Sequence, residues 1–139
     1  MPDDAPTADV VWAQLTHLVM DTRDSWKRAV TERTGLPFSR IRILRRLRPG
    51  PLTLNQIAQA TGMDAPATTV AVNNLDELGL VVREIDPTNR RRKTVSITSA
   101  GRAALAEAMA TPDPAPPAVA ALSPDDLNTL HGLLRKLEH

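Results

Sequence analysis

The sequence has no cysteine and no tyrosine, and only one Phe and two Trp among 139 residues. Without cysteine there are no disulfides, no thiolate metal sites and no thiol redox sensing. With so few aromatics, Leu, Val, Ile and Ala must fill any core, which suits helix-on-helix packing better than an aromatic-rich sandwich. His17, His131 and His139 stand far apart, so neither a metal nor a cofactor is expected. No apolar run approaches the roughly 20 residues that span a bilayer. The opening Met1-Pro2-Asp3-Asp4-Ala5-Pro6 is acidic where a signal peptide is basic and then apolar. A cytoplasmic protein with no membrane partner is the expectation. Catalytic signatures are missing as well: there is no nucleophile–base pairing, no Gly-rich phosphate loop and no carboxylate pair in a recognisable motif, so an enzyme is not expected.

What is present suits one packed domain: 42% of residues are apolar and 24% charged. The net charge of +1 argues neither for nor against a nucleic-acid partner, but the basic residues are unevenly placed. Five arginines lie in Arg40–Arg48 and five cations in Arg83–Lys93, while residues 49–82 contain none.

Hydrophobic spacing and breakers give the organisation. Residues 1–7 read as a short disordered arm. Val11, Leu15, Leu18, Val19, Trp26 and Val30 predict an amphipathic helix from Ala8 to about Thr34, bent near Asp21–Ser25. A second helix, roughly 38–48, carries Phe38, Ile41, Leu44 and Leu47 on one face until Pro49-Gly50-Pro51 stops it. Thr53 and Gln56 form a capping box for a short helix ending at Gly62. Asp64 caps a longer helix that has Pro66 in its first turn and ends at Gly79. Leu80–Ile85 reads as a strand, Asp86-Pro87-Thr88-Asn89 as a turn and Arg92–Ile97 as the returning strand. Thr98 opens a helix to about Ala110, Thr111–Pro117 is a proline-rich linker, and Ser123 opens a last helix striped by Leu127, Leu130, Leu133, Leu134 and Leu137. The fold class expected is mostly α with a small β-hairpin.

Two helices joined by a tight glycine turn, the second longer, have the form of a helix-turn-helix. Ala58 is small enough to let them approach, and Ile57 and Met63 flank it as packing residues. Thr68, Ala71, Val72, Leu75 and Leu78 are the expected buried side of the second helix. Pro66, Thr69, Val70, Asn73 and Asn74 are its expected outward face. The hairpin that follows places Asn89, Arg90, Arg91, Arg92 and Lys93 at and beyond its turn, the shape of a wing reaching phosphates or a minor groove. The plainer reading is a solvated basic hairpin.

The same stretch resembles the MarR family of winged helix-turn-helix regulators. Leu75-Asp-Glu-Leu-Gly79-Leu-Val81 is similar to the end of the family's recognition helix, Asp86-Pro-Thr-Asn-Arg-Arg91 to its wing signature, and Ile97-Thr-Ser-Ala-Gly101 to the start of its next helix. The resemblance covers about residues 8–139. It implies a homodimer whose terminal helices intertwine, with residues 1–34 and 100–139 as dimerisation arms around a reading unit at 35–99. Double-stranded DNA is the implied partner, and a pseudo-palindromic operator, repressed until a small molecule intervenes, is the implied target. Asn89 departs from the usual second Asp of the wing signature, which in the family helps hold the arginine corresponding to Arg91. Val70 stands where relatives often carry Arg, so guanine readout by an arginine of this helix is not available and an A·T-leaning operator core is expected.

Apart from the resemblance, the leucine stripe and the apolar face of residues 10–30 have little core of their own. Val11, Leu15, Leu127, Leu130, Leu134 and Leu137 are therefore the expected dimer contacts. The family likeness also implies a small aromatic or anionic effector, for which Trp12, His17, Met20, Trp26 and Phe38 are candidate lining, though each is equally a candidate core residue. For Arg40, Arg42, Arg45, Arg46 and Arg48 a solvated or acid-paired face competes with DNA backbone contact. The alternative function is a winged-helix module for protein contact with weak non-specific DNA binding, favoured only by the uncharged recognition helix.

Overall fold

The structure, a computed structural model, describes residues 4–138. Met1, Pro2 and Asp3 of the expected disordered arm, and His139, lie outside the described residues. The chain forms α1 (Ala8–Thr34), α2 (Phe38–Leu47), α3 (Leu54–Thr61), α4 (Ala65–Glu77), β1 (Val81–Asp86), β2 (Asn89–Ile97), α5 (Ser99–Met109), α6 (Pro117–Ala120) and α7 (Pro124–Arg135). This is the expected mostly helical fold with one antiparallel hairpin. Thr7, Thr53, Asp64, Thr98 and Ser123 cap α1, α3, α4, α5 and α7 through their side-chain oxygens, each accepting from a backbone N–H that has no partner inside its helix.

The core is built around α2. Its Ile41, Ile43, Leu44 and Leu47 are buried with Ile57 of α3, Ala71, Val72 and Leu75 of α4, Val81 and Val95 of the strands, and Leu105 and Ala108 of α5. A Leu or Ile buried this fully stabilises the fold by about 1.5–3 kcal/mol. The spacing of one apolar stripe omits Ile43, yet it is buried because α2 is covered by α3, α4 and α5 at once.

Helix α1 runs unbroken over the expected Ala8–Thr34. Three details differ from the sequence reading. Strand β2 begins at Asn89, earlier than expected, because the turn is tight. The proline-rich linker is followed by a single helical turn, α6, initiated by its own prolines. Leu52 exchanges both backbone hydrogen bonds with Val95, at 3.1 and 2.7 Å, adding a third one-residue strand to the base of the hairpin.

Candidate nucleic-acid interface

Helix α3 starts in a full capping box: Gln56 N–H donates to Thr53 Oγ1 at 3.2 Å, and Thr53 N–H to Gln56 Oε1 at 2.9 Å. It ends at Gly62, whose left-handed φ of 72° turns the chain sharply into α4. Asp64 Oδ1 accepts from Ala67 N–H at 2.7 Å, fixing the first turn of α4. Thr68, Ala71, Val72 and Leu75 then face the core as expected. Leu78 does not: at the C-terminal cap the helix has passed beyond the core, and Leu78 is 52% exposed.

The opposite side of α4 carries the expected outward residues. Pro66, Thr69, Val70 and Asn73 are exposed, and Asn74 is half-buried. No cation lies on this helix, but two guanidiniums reach it from other elements. Arg83 of β1 donates to Asn73 Oδ1 and lies 3.4 Å from Asp76 Oδ2. Arg40 of α2 donates through Nε to Asn74 Oδ1 at 3.2 Å. The sequence reading gave neither arginine this place. For Arg83 a signal exists: it lies two residues after buried Val81, on the same face of the strand, where the core ends and α4 begins.

The wing is shaped by its register. Ile85 pairs with Lys93 and Asp86 with Asn89, so Arg90, Arg91 and Arg92 lie in an irregularity outside the strand register, with the Arg92 side chain 3.9 Å from Asp86 Oδ2. Asp86 Oδ1 accepts from the Thr88 hydroxyl at 2.7 Å and the Thr88 amide at 2.9 Å, closing the turn. These hydrogen bonds, and then the nearby Arg92, hold the Asp86 carboxyl below its usual pKa. Asn89 Oδ1 accepts from the backbone N–H of Arg91 at 3.1 Å, so it orders the chain at Arg91 rather than its guanidinium. Among the described residues Arg90, Arg91 and Lys93 form no ion pair, and all three are exposed. Beside the wing, Thr53, Asn55, Arg83, Arg92 and Lys93 line a basic cleft of about 450 Å³.

The first arginine cluster divides. Arg42 donates to the Thr61 carbonyl at 2.7 Å, closing the end of α3, and Arg40 holds Asn74, while Arg45, Arg46 and Arg48 are exposed.

The five candidate effector residues are not gathered in one cavity. Trp12 and Met20 line an apolar groove on α1 with Leu15 and Val19. Trp26 and Phe38 instead pack edge to face, 5.5 Å between centroids, against the core. Trp26 also lines a cleft of about 480 Å³ under the linker, beside Arg23 and Asp113. His17 is exposed and lines neither. Of the candidate dimer contacts, Val11, Leu127, Leu134 and Leu137 are exposed, Leu15 and Leu130 are half-buried, and α7 buries no residue of its own.

A glycine-turned helix pair, a second helix exposed along one side and a basic hairpin behind it define a winged helix-turn-helix. The model of the MarR family matches residues 34–92. A Thauera aromatica protein named as a transcriptional regulatory protein for the hcr operon is 39% identical over 89 residues, 60% of this chain and 52% of that one. The chain thus spans about half the length of this curated relative. A probable transcriptional regulator from Pseudomonas aeruginosa, known from its crystal structure, is 32% identical, with a TM-score of 0.61 over 92% of this chain and 99% of that one. At 20% identity the fold alone is shared with apo MarR of E. coli (TM-score 0.73, 99% of this chain and 100% of that one). The same holds for a S. aureus MepR variant bound to oligodeoxyribonucleotide (TM-score 0.61, 96% of each chain). The chain belongs to the MarR family.

Proposed function

We propose that this protein is a sequence-specific DNA-binding transcriptional regulator, acting as a homodimer on a pseudo-palindromic operator. The observation that carries this reading is the wing, where Arg90, Arg91 and Lys93 stand exposed and, among the described residues, free of ion pairs next to a half-exposed helix. Unpaired cations on a projecting hairpin suit phosphates, and a helix bare on one side suits the major groove. The protein-contact alternative drew its support from the uncharged α4. Arg40 and Arg83 at its two edges remove that support.

Residues 35–99 form the reading unit, and residues 1–34 and 100–139 are the arms that join two copies. The arms carry exposed apolar side chains that a second copy would cover, among them Trp12, Val19, Leu133 and Leu137. The regulator represses by occupying its operator, and a small aromatic or anionic effector releases it by favouring another spacing of the two reading units. The apolar groove at Trp12 and Met20 and the cleft at Trp26 and Arg23 are the places where such a molecule would fit.

Selection of duplexes from a random library by the purified protein tests this. A near-palindrome with half-sites about 10 base pairs apart is the expected product. Enrichment of no sequence would contradict the proposal.

A further inference from the structure

We infer that Arg83, and in the same manner Arg40, sets the base preference of the reading helix by holding an asparagine as a hydrogen-bond donor toward the major groove. The inference rests on the reading of α4 as the DNA-reading helix.

Asn73 and Asn74 are neighbours in sequence and therefore about 100° apart around α4, one toward β1 and one toward α2. Each side-chain amide has an acceptor end and a donor end. A guanidinium has five N–H donors and no acceptor, so the atom facing it must be the amide oxygen. Arg83 sits on Asn73 Oδ1 and Arg40 on Asn74 Oδ1. Among the described residues neither Asn73 nor Asn74 uses its Nδ2 in a hydrogen bond. The amide nitrogen is thus the end left for a base. Arg83 is itself fixed by Asp76 Oδ2, one turn along α4 from Asn73, so a single guanidinium bridges two residues of the same helix edge.

The consequence is chemical. Guanine, thymine and adenine each offer an acceptor in the major groove, whereas cytosine offers only its N4 amino donor. A cytosine amino group at Asn73 would have to share an oxygen on which a guanidinium already sits. Asn73, the exposed member of the pair, should therefore reject cytosine. Guanine and thymine both satisfy it, so the expected A·T lean of the operator core rests on Val70 and the thymine methyl alone. Without Arg83 the amide is free to rotate, and it can then accept from cytosine or bind adenine through both ends.

The test is the same library selection carried out with the wild type, Asn73→Ala, Arg83→Ala, Arg83→Lys and Asp76→Asn. Asn73→Ala identifies the operator position concerned. The wild type should disfavour cytosine there by roughly tenfold or more. Arg83→Ala should lift that discrimination at the same position, and Asp76→Asn, which loosens the guanidinium without removing it, should lift it in part. If Arg83 only meets a phosphate, Arg83→Ala will weaken all sequences equally, Arg83→Lys will restore them, and the position will keep its preference. That outcome overturns the inference and leaves the regulator reading intact. Failure of the wild type to enrich any sequence overturns both, and so separates the two failures. Should Arg83→Ala not fold, Asp76→Asn decides the matter: unchanged preference there contradicts the inference, whereas Arg83→Lys, itself a donor without an acceptor, should keep the preference.

Discussion

A Cβ on Gly101 would stand 2.1 Å from the carbonyl oxygen of Leu80 and 2.7 Å from Cγ1 of Ile97. Helix α5 is pressed this closely onto the entry to the wing by Thr98, whose hydroxyl donates to the Gly79 carbonyl at 2.7 Å and accepts from Gly101 N–H at 3.1 Å. The Leu80 carbonyl also accepts from Thr98 N–H, so the backbone there cannot retreat without losing a hydrogen bond. Gly101→Ala should therefore destabilise the protein by about 1–3 kcal/mol, the usual cost of overpacking. Urea unfolding measures it, and a stability equal to that of the wild type would refute the close approach.

Asp64 is the oxygen that starts the reading helix, accepting from Ala67 N–H. Asp64→Ala should cost about 1 kcal/mol, within the 0.5–2 kcal/mol typical of such caps, and Asp64→Asn clearly less. Hydrogen exchange should show the loss concentrated in the first turn of α4. Uniform loss across the chain would mean that the cap does not act locally.

Arg23 and Asp113 tie α1 to the linker at 2.5 Å, and the Arg23 guanidinium lies 5.0 Å from the Trp26 ring centroid. The hydrogen bond from Arg23, and then its charge, lowers the Asp113 pKa from its ordinary 3.8. A carboxylate whose folded pKa is depressed contributes stability above the unfolded value and loses it as pH falls through the folded one. Asp113→Asn should thus be less stable than the wild type at neutral pH, with the gap closing on the acid side of 3.8. Both side chains are part-exposed, so the gap should be small. A gap that widens as pH falls would have the wrong sign.

The exposed leucines of α7 and the apolar N-terminal half of α1 are the proposed contacts between two copies. Light scattering at micromolar concentration should give a dimer, and Leu134→Asp, an exposed position that leaves the core untouched, should shift it toward monomer. A wild-type monomer would contradict the arms' proposed role.

The local features of this fold were legible because their causes are local. The caps at Thr53, Asp64, Thr98 and Ser123 lie where the sequence puts an oxygen before an apolar stripe, and Gly62 and Gly79 mark helix ends by their left-handed backbone. What could not be read depends on the placing of distant segments. Leu52 becomes a strand only because Val95, 43 residues later, arrives beside it. Arg83 and Arg40 look like members of two charge clusters until α4 packs between their elements. The bulge that takes Arg90–Arg92 out of the strand pairing is a matter of register, which the turn residues do not fix by themselves. The five effector candidates share only their residue types, and packing separates them into a groove, a core pair and an exposed histidine.

The most direct test of DNA binding through the wing is the salt dependence of affinity for the selected operator, with the wild type beside Arg91→Ala. Each phosphate neutralised contributes about 0.9 to the slope of log K against log salt. The wild type should show a steep slope, and Arg91→Ala should bind more weakly with a slope lower by about one. A wild-type affinity indifferent to salt, or an Arg91→Ala slope equal to that of the wild type, would contradict the account.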